Sequence, residues 1–367
     1  YSTELDTDGK WRYRGYGQAT SVDSWYPPST FIDYYNSHGK APETAPIRIG
    51  AIMCLSGALG TVGPGLVEGA ELAAWDVNRK GGITGKQIEL SVEDEQTDPA
   101  KAVEVGTKLI DIDGVRVIIG PMISPSVLSL APKANSAKVV LITPSATAPS
   151  VTDAGEYVFR VCPTDLVQGK ALADLARVKG YTKVATLVVN NDYGAGLEDA
   201  FAKNFQGEVV AKVRYESGRA DYRTELNNIK AKHPQAIMLV AYAESGTVIL
   251  KQAAELQLGT DWLAAESMAD PLVLQTPEVI PEMERMLLTK PVGLTELPAY
   301  KDFLDLFHER YPGKQPGIYA EYAYDATMLA IKAIAYGGYD GEKIKNSLFK
   351  VGEDYKGCLL YTSDAAD

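Results

Sequence analysis

Residues 47–79 read IRIGAIMCLSGALGTVGPGLVEGAELAAWDVNR, and this stretch decides the fold class. Residues 47–54 form an apolar run with β-branched side chains, which is typical of a buried strand. A glycine-rich turn follows, and residues 64–79 have the apolar spacing of a helix that ends before Gly81 and Gly82. A strand, a turn and a helix in this order predict the first unit of a parallel α/β sheet.

The same alternation continues along the chain. It predicts strands at 87–93, 115–119 and 139–143, with helices that begin at Pro99, after an Asp98 cap, and after Pro125. A second half begins after Pro163, and its predicted elements are helix 165–179 with Asp165 as its cap, strand 183–189, helix 194–205, strand 209–215, helix 222–232, strand 236–241, helix 245–256 and strand 262–265. The two halves resemble each other, so we expect two doubly wound parallel-sheet lobes joined by crossovers. Two later helices, 298–310 and 319–335, are expected to return to the first lobe.

Composition restricts the function. The 367 residues carry a formal charge of −12 and 46% are hydrophobic, so we expect a folded protein whose acidic surface repels nucleic acid and anionic membranes. No apolar run reaches the roughly 18 residues of a membrane-spanning helix. The three cysteines and three histidines are scattered, so we expect no disulfide scaffold, metal site or cofactor. Residues 1–46 show no periodicity and are predicted to be an irregular leader.

Small hydroxyl residues follow the predicted strands of the first lobe. The turns at 55–57, 123–126 and 143–147 contain Ser or Thr and no Lys or Arg. Ligands of open α/β sheets bind at the carboxyl ends of the strands, where helix N-termini offer free N–H groups. Hydroxyl and N–H groups without a basic residue suit a carboxylate better than a phosphate. The alternative, that these serines only cap helices, stays open on the pattern alone.

The second lobe offers the opposite polarity. Glu266 follows the apolar strand at 262–265, where a half-buried carboxylate needs a cationic partner. Tyr193 and Tyr242 stand at equivalent strand ends and offer an aromatic ring with a hydroxyl group. Donors on one lobe that face a carboxylate and aromatic rings on the other would bind a zwitterion, which points to an α-amino acid.

A nucleotide cofactor is the main alternative ligand. Glycines between 57 and 65, together with Glu93 and Asp94 after the second strand, imitate a dinucleotide-binding motif. The frame that begins at Gly63 places Glu68 where the last glycine belongs, which disfavours this alternative. The sequence contains no nucleophile elbow or Walker loop, and the hydroxyl residues have no neighbouring base, so we expect no enzymatic activity.

Several motifs of residues 47–357 resemble one known family. The motifs are those at 49–51, 56–57, 78–83, 98–99, 142–149, 192–196 and 289–291, of which 142–149 (ITPSATAP) is the most specific. The resemblance is to the type I periplasmic binding proteins of branched-chain amino acid ABC transporters, the Leu/Ile/Val-binding group. It implies an extracytoplasmic monomer whose two lobes close on the ligand about a hinge and deliver it to a membrane permease. The implied lobes are 47–164 with 291–357 and 165–290, and any secretion signal is expected outside these residues.

The resemblance also assigns roles in the first lobe by position. Ser124, Ser145 and Thr147 resemble the groups that bind the α-carboxylate of the ligand and share in binding its ammonium group. Ala146 and its neighbours would contribute backbone N–H or C=O groups. These roles rest on the resemblance, whereas the preference for a carboxylate also follows from the residue types.

In the second lobe the resemblance makes Tyr193 and Tyr242 aromatic walls and Glu266 the carboxylate that receives the ammonium group. Val62 and Tyr319 fall where the family places groups around the ligand side chain. Val62 stands where an aromatic residue is common, which widens the pocket and leaves Leu, Ile, Val, Phe or a non-proteinogenic amino acid as ligands. A sensory receptor ectodomain with the same fold and pocket is the alternative to a transport protein.

Two further departures from the family concern the cysteines and the chain end. Thr97 and Ile123 stand where members with a first-lobe disulfide have cysteines, so that bridge is absent and Cys54 and Cys162 are predicted to be buried free thiols. The family continues after Gly357 with further strands. Residues 358–367 instead resemble a translated sequencing adapter, so we interpret them as an artefactual tail that replaces the C-terminal strands.

Overall fold

An antiparallel hairpin lies within the segment that we predicted to be irregular. The computed structural model describes residues 2–5, 11–14, 45–291 and 295–358, and strand β1 (Ser2–Leu5) pairs with β2 (Trp11–Arg14). The prediction of an irregular leader is therefore wrong for these residues. Residues 11–14 alternate aromatic and basic side chains, which is the period of a strand, but the run is too short to stand out. The rest of the leader lies outside the described residues.

The first lobe is a five-stranded parallel sheet with the strand order β4-β3-β5-β6-β7. In chain order its elements are β3 (Ile47–Met53), α1 (Gly63–Arg79), β4 (Ile88–Asp94), α2 (Pro99–Asp111), β5 (Val117–Ile119), α3 (Ser124–Ala137), β6 (Val140–Thr143) and β7 (Val158–Arg160). Every residue of β5 and β6 is buried, because helices cover both faces of the sheet. The edge strand β7 is only partly buried, and the sequence analysis missed it.

The second lobe repeats this plan with the order β9-β8-β10-β11-β12. Its elements are α4 (Asp165–Val178), β8 (Lys183–Val189), α5 (Asp192–Asn204), β9 (Glu208–Tyr215), α6 (Arg223–Lys230), β10 (Ala236–Val240), α7 (Ala243–Glu255), β11 (Asp261–Ala264), α8 (Pro271–Leu274), α9 (Ile280–Met283) and β12 (Met286–Leu288). In both lobes the second strand in chain order lies on one side of the first strand. The third, fourth and fifth strands follow in order on the other side of the first strand. The prediction of two doubly wound parallel-sheet lobes is confirmed.

The cap of helix α4 differs from the prediction. The side chain of Thr164 accepts a hydrogen bond from the N–H of Leu166 at 3.4 Å, so Thr164 rather than Asp165 is the N-cap. Asp165 is instead the first residue of the helix, and its side chain is buried. Neither of its carboxylate oxygens has a hydrogen-bond partner of standard geometry among the described residues, although the Thr147 side chain lies near it.

The last helices return to the first lobe, as expected. They are α10 (Pro298–Arg310), α11 (Ala320–Gly337) and α12 (Gly341–Asp354), of which α12 was not predicted. Helix α11 packs so closely on α1 that a Cβ atom at Gly69 would lie 2.0 Å from the carbonyl oxygen of Ala320. Only glycine permits this approach.

The packed body includes the first residue of the predicted tail. Cys358 is buried, and its N–H donates a hydrogen bond to the Asp325 carboxylate at 3.2 Å. The Tyr355 hydroxyl donates to the same oxygen at 2.7 Å. Residues 359–367 lie outside the described residues, so the artefactual tail stays a prediction, as do the lobe boundaries.

Candidate functional site

A cavity lies between the lobes at the carboxyl ends of their strands. In each sheet the strand order reverses beside the first strand, between β3 and β5 and between β8 and β10, and such switch points are where open α/β sheets bind ligands. The cavity holds about 520 Å³ of empty space, part of it open to solvent. Its lining includes most of the residues that we predicted, namely Val62, Ser124, Ser145, Thr147, Tyr193, Tyr242, Glu266 and Tyr319.

The first-lobe wall is built around the N-terminus of α3. Ser124 is the first residue of this helix, and Ile123 at the N-cap position offers no side-chain acceptor, so no capping side chain occupies the N–H groups of Ser124 and Ser126; Pro125 between them has no N–H. The Ser124 hydroxyl accepts a hydrogen bond from the N–H of Ala148 at 3.1 Å and keeps its own proton to donate. The Ser145 hydroxyl donates its proton to the Met122 carbonyl at 2.8 Å. Ser124 is therefore the better carboxylate donor of the two serines.

Ala146 does not reach the cavity wall. It is 1% exposed, its N–H donates to the Thr143 hydroxyl at 3.1 Å, and its carbonyl accepts from the Cys162 thiol at 3.6 Å. Both backbone groups are thus bonded within the first lobe. Cys54 and Cys162 are buried free thiols, as predicted.

Two tyrosines form the aromatic wall of the second lobe. Tyr193 lies in the first turn of α5 and Tyr242 is the N-cap residue of α7, and their rings stack with centroids 6.0 Å apart. Asn191 joins the two helices, because its side chain accepts from the N–H of Gly194 at 3.1 Å and donates to the Tyr242 hydroxyl at 3.0 Å. The rings are therefore held in place before a ligand arrives.

Glu266 is the charged group of the second lobe. It begins a 3-10 helix (Glu266–Met268) directly after β11 and is 5% exposed. Its Oε1 accepts from the Tyr193 hydroxyl at 3.0 Å and its Oε2 from the Gln168 amide at 2.7 Å. Burial raises the pKa of its carboxyl group, whereas these two donors favour the charged form.

No cation faces this carboxylate in the described part of the chain. None of the residues that line the cavity is Lys, Arg or His, and no described salt bridge includes Glu266. A buried carboxylate without a cationic partner attracts one from a ligand.

The apolar wall of the cavity and one of its acidic residues were not predicted from the sequence. Leu59, Met122, Ile123 and Ile318 add aliphatic surface, and Ser267 and Asp270 add polar groups. Leu59 lies two residues after the turn at 55–57, and Ile123 lies in the turn at 123–126. Both could therefore have been predicted from the position of these turns at strand ends. The Asp-Pro pair at 270–271 repeats the capping signal of 98–99 and could have located α8, but nothing in it indicates the cavity.

Asp270 also joins the two lobes. It is 1% exposed, and its carboxylate accepts from the Thr61 hydroxyl of the first lobe at 2.7 Å and from the N–H of Leu272 at 2.7 Å. The first of these bonds crosses the cleft, so it forms only when the lobes meet.

Among the described residues, no group of His, Cys, Asp and Glu is placed to hold a metal ion. No helix of the described ranges combines the length and apolar character needed to cross a membrane.

Residues 46–363 match the family model described as periplasmic binding protein. The chain belongs to the periplasmic binding protein family. This confirms the resemblance that the motifs indicated, and the matched region ends within the predicted tail.

Relatives in the periplasmic binding protein family carry related names. A leucine-, isoleucine-, valine-, threonine- and alanine-binding protein of Pseudomonas aeruginosa is 28% identical over 323 residues, which are 86% of this chain and 84% of the relative. The leucine-binding protein LivK of Thermotoga maritima has a crystal structure that superposes with a TM-score of 0.76 at 29% identity and covers 82% of this chain and 87% of its own.

A third relative was solved with a ligand. The substrate-binding protein LivJ of a branched-chain amino acid transporter of Streptococcus pneumoniae, in complex with isoleucine, gives a TM-score of 0.74 at 27% identity. The match covers 85% of this chain and 90% of LivJ.

Proposed function

We propose that this periplasmic binding protein captures an aliphatic, branched-chain α-amino acid between its lobes and delivers it to the permease of an ABC transporter. Glu266 carries this proposal. It is a buried carboxylate that already has two neutral donors and still faces the cavity without a cation. An ammonium group of the ligand supplies the missing charge.

The opposite wall suits the other end of a zwitterion. The α-carboxylate can accept hydrogen bonds from the Ser124 hydroxyl, from Thr147 and from the N–H groups at the start of α3, which no side chain caps. The side chain then packs on Leu59, Val62 and Ile318, whose aliphatic groups favour Leu, Ile or Val over polar side chains.

Closure of the lobes completes the site. When the cleft shuts, water leaves and each charged hydrogen bond to the ligand becomes stronger. The bond between Thr61 and Asp270 stabilises the shut form next to the cavity.

The remaining parts of the proposal follow from family membership. We expect a monomer outside the cytoplasm that performs no chemistry on its ligand, since members of the family bind substrates for transport. A sensory receptor ectodomain is not favoured, because the relative and the two structures described above are named for amino acid binding or transport.

A thermal-shift screen tests the proposal. Leu, Ile and Val should raise the melting temperature, since a ligand at a hundred times its Kd stabilises the folded state by about 2.7 kcal/mol. 4-Methylpentanoate, which is leucine without its ammonium group, and benzoate should have no effect. Stabilisation by these carboxylates but not by amino acids would contradict the proposal.

A further inference from the structure

We propose that Gln168 is a positioning residue that orients the ammonium-binding carboxylate of Glu266 and ties it to the crossover by which the chain returns to the first lobe. This inference rests on the proposed function and adds a residue that touches no ligand. Gln168 does not line the cavity that holds Glu266.

Three hydrogen bonds place the Gln168 amide. Its Nε2 donates to Glu266 Oε2 at 2.7 Å, to the Thr289 carbonyl oxygen at 3.1 Å and to the Thr289 hydroxyl at 3.1 Å. The amide group has two protons, so one serves Glu266 and the other serves Thr289. One side chain therefore connects the ligand site to the end of β12.

The position of Gln168 in the chain links the Glu266 carboxylate to the crossovers between the lobes. It lies in α4, directly after the first crossover between the lobes, whereas Thr289 stands directly before the second. The N–H of Thr289 donates to the Ala264 carbonyl at 3.1 Å, so Thr289 is fixed to the end of β11, from which Glu266 extends. A change in the direction of either crossover is thus transmitted to the carboxylate.

The Gln168 amide also keeps Glu266 charged. Among the described residues, burial and the charge of Glu266 raise the pKa of Cys162, Asp165, Tyr193, Tyr242 and Tyr319, and Asp270 lines the same cavity; none of these groups is a cation. Burial raises the pKa of Glu266, and the hydrogen bond from Gln168 is the strongest influence that opposes this rise. Without that donor, the carboxylate would take up a proton at a higher pH and would lose its charge for the ammonium group.

Isothermal titration calorimetry with L-leucine tests the inference on three proteins: the wild type, Gln168→Met and Lys170→Met. Methionine has a similar length but cannot donate. Lys170 lies on the same helix with an exposed side chain whose one ion pair among the described residues is with Asp174, so its variant is the matched control. Gln168→Leu replaces the first variant if Gln168→Met does not fold.

We expect Gln168→Met to lower the affinity roughly 10- to 100-fold at about pH 7.5, the usual effect of losing a hydrogen bond to a charged group. The loss should grow as the pH falls to about 5.5, because the carboxylate then protonates sooner than in the wild type. Lys170→Met should bind like the wild type at every pH.

A loss that is the same at every pH would overturn the inference, since it would show a merely structural role. Unchanged affinity would overturn it as well. In a Glu266→Ala background the Gln168→Met change should cost nothing further, and fully additive losses would contradict the assignment. A wild-type protein that binds no amino acid would refute the proposed function itself, whereas the other outcomes concern Gln168 alone.

Discussion

Replacement of Glu266 by Gln tests the proposal that its charge binds the ammonium group of an amino acid. The change keeps the shape of the side chain, but it removes the negative charge that faces the ammonium group. Gln168 can only donate through its Nε2, so the new amide must turn its single oxygen toward Gln168. Its NH₂ group is then left beside Tyr193 and the ligand.

The magnitude follows from the burial of this site. Removal of one partner of a buried, hydrogen-bonded charge pair costs about 2 to 5 kcal/mol, because the other charge stays desolvated. Glu266 is 5% exposed, and the other carboxylate of the cavity lining, Asp270, already accepts hydrogen bonds from Thr61 and from the N–H of Leu272. We therefore expect leucine affinity to fall by roughly 30-fold or more, at about 1.4 kcal/mol for each factor of ten.

The ligand-free protein should respond in the opposite direction. An acid whose pKa is raised by folding loses stability as the pH rises from its unfolded pKa through its folded pKa. Burial raises the pKa of Glu266, so the neutral amide should give a higher melting temperature without ligand at neutral pH. Calorimetric titration and thermal melts of the same samples measure both effects. Unchanged leucine affinity, or a lower melting temperature together with normal affinity, would refute the reasoning.

Three further changes have defined outcomes. Burial raises the pKa of Glu95 from 4.5 to about 7, so the stability of the folded protein should fall as the pH rises between these values. Thermal melts should therefore show that Glu95→Gln is more stable than the wild type at about pH 8 but not at about pH 4. Thr61→Val removes the hydrogen bond to Asp270 that stabilises the shut form. Calorimetry should then show roughly tenfold weaker leucine binding, and small-angle scattering should show a more open shape. Equal affinity would show that closure does not need this bond. Val62→Phe fills part of the cavity, so competition titrations should show a larger loss for leucine than for alanine, and equal losses would place the ligand side chain elsewhere.

The central strands of the fold were predictable because they are buried on both faces. β6 and β10 are buried along their whole length, and such strands leave continuous apolar runs in the sequence. The edge strands β7 and β12 are three residues each and only partly buried or exposed, so their residues show no such run. The missed helix α12 did have a signal, because the Asp340 side chain caps it by accepting from the N–H of Lys343.

The site was predictable only as far as it depends on single strand ends. Ser124, Tyr193 and Glu266 lie in the first turns of the helices that follow β5, β8 and β11, and parallel strands bring their carboxyl ends to one edge. The contact that joins the lobes and the one that positions Glu266 depend on residues far apart in the chain. Thr61 and Asp270 are separated by 209 positions and Gln168 and Glu266 by 98, and no local pattern encodes such pairs.

The charges around the cavity connect ligand choice with closure. Asp165, Glu266 and Asp270 are each at most 5% exposed, and burial together with the charge of Glu266 raises the pKa of Asp165. Closing the lobes over an empty cavity would desolvate Glu266 without a compensating cation, although Tyr193 and Gln168 still donate to it. An amino acid brings the cation that removes this cost, so it binds the shut form more tightly than the open form and shifts the equilibrium toward closure. A carboxylate of the same shape without an ammonium group would leave Glu266 unpaired, which is why we expect the cleft to stay open in its presence.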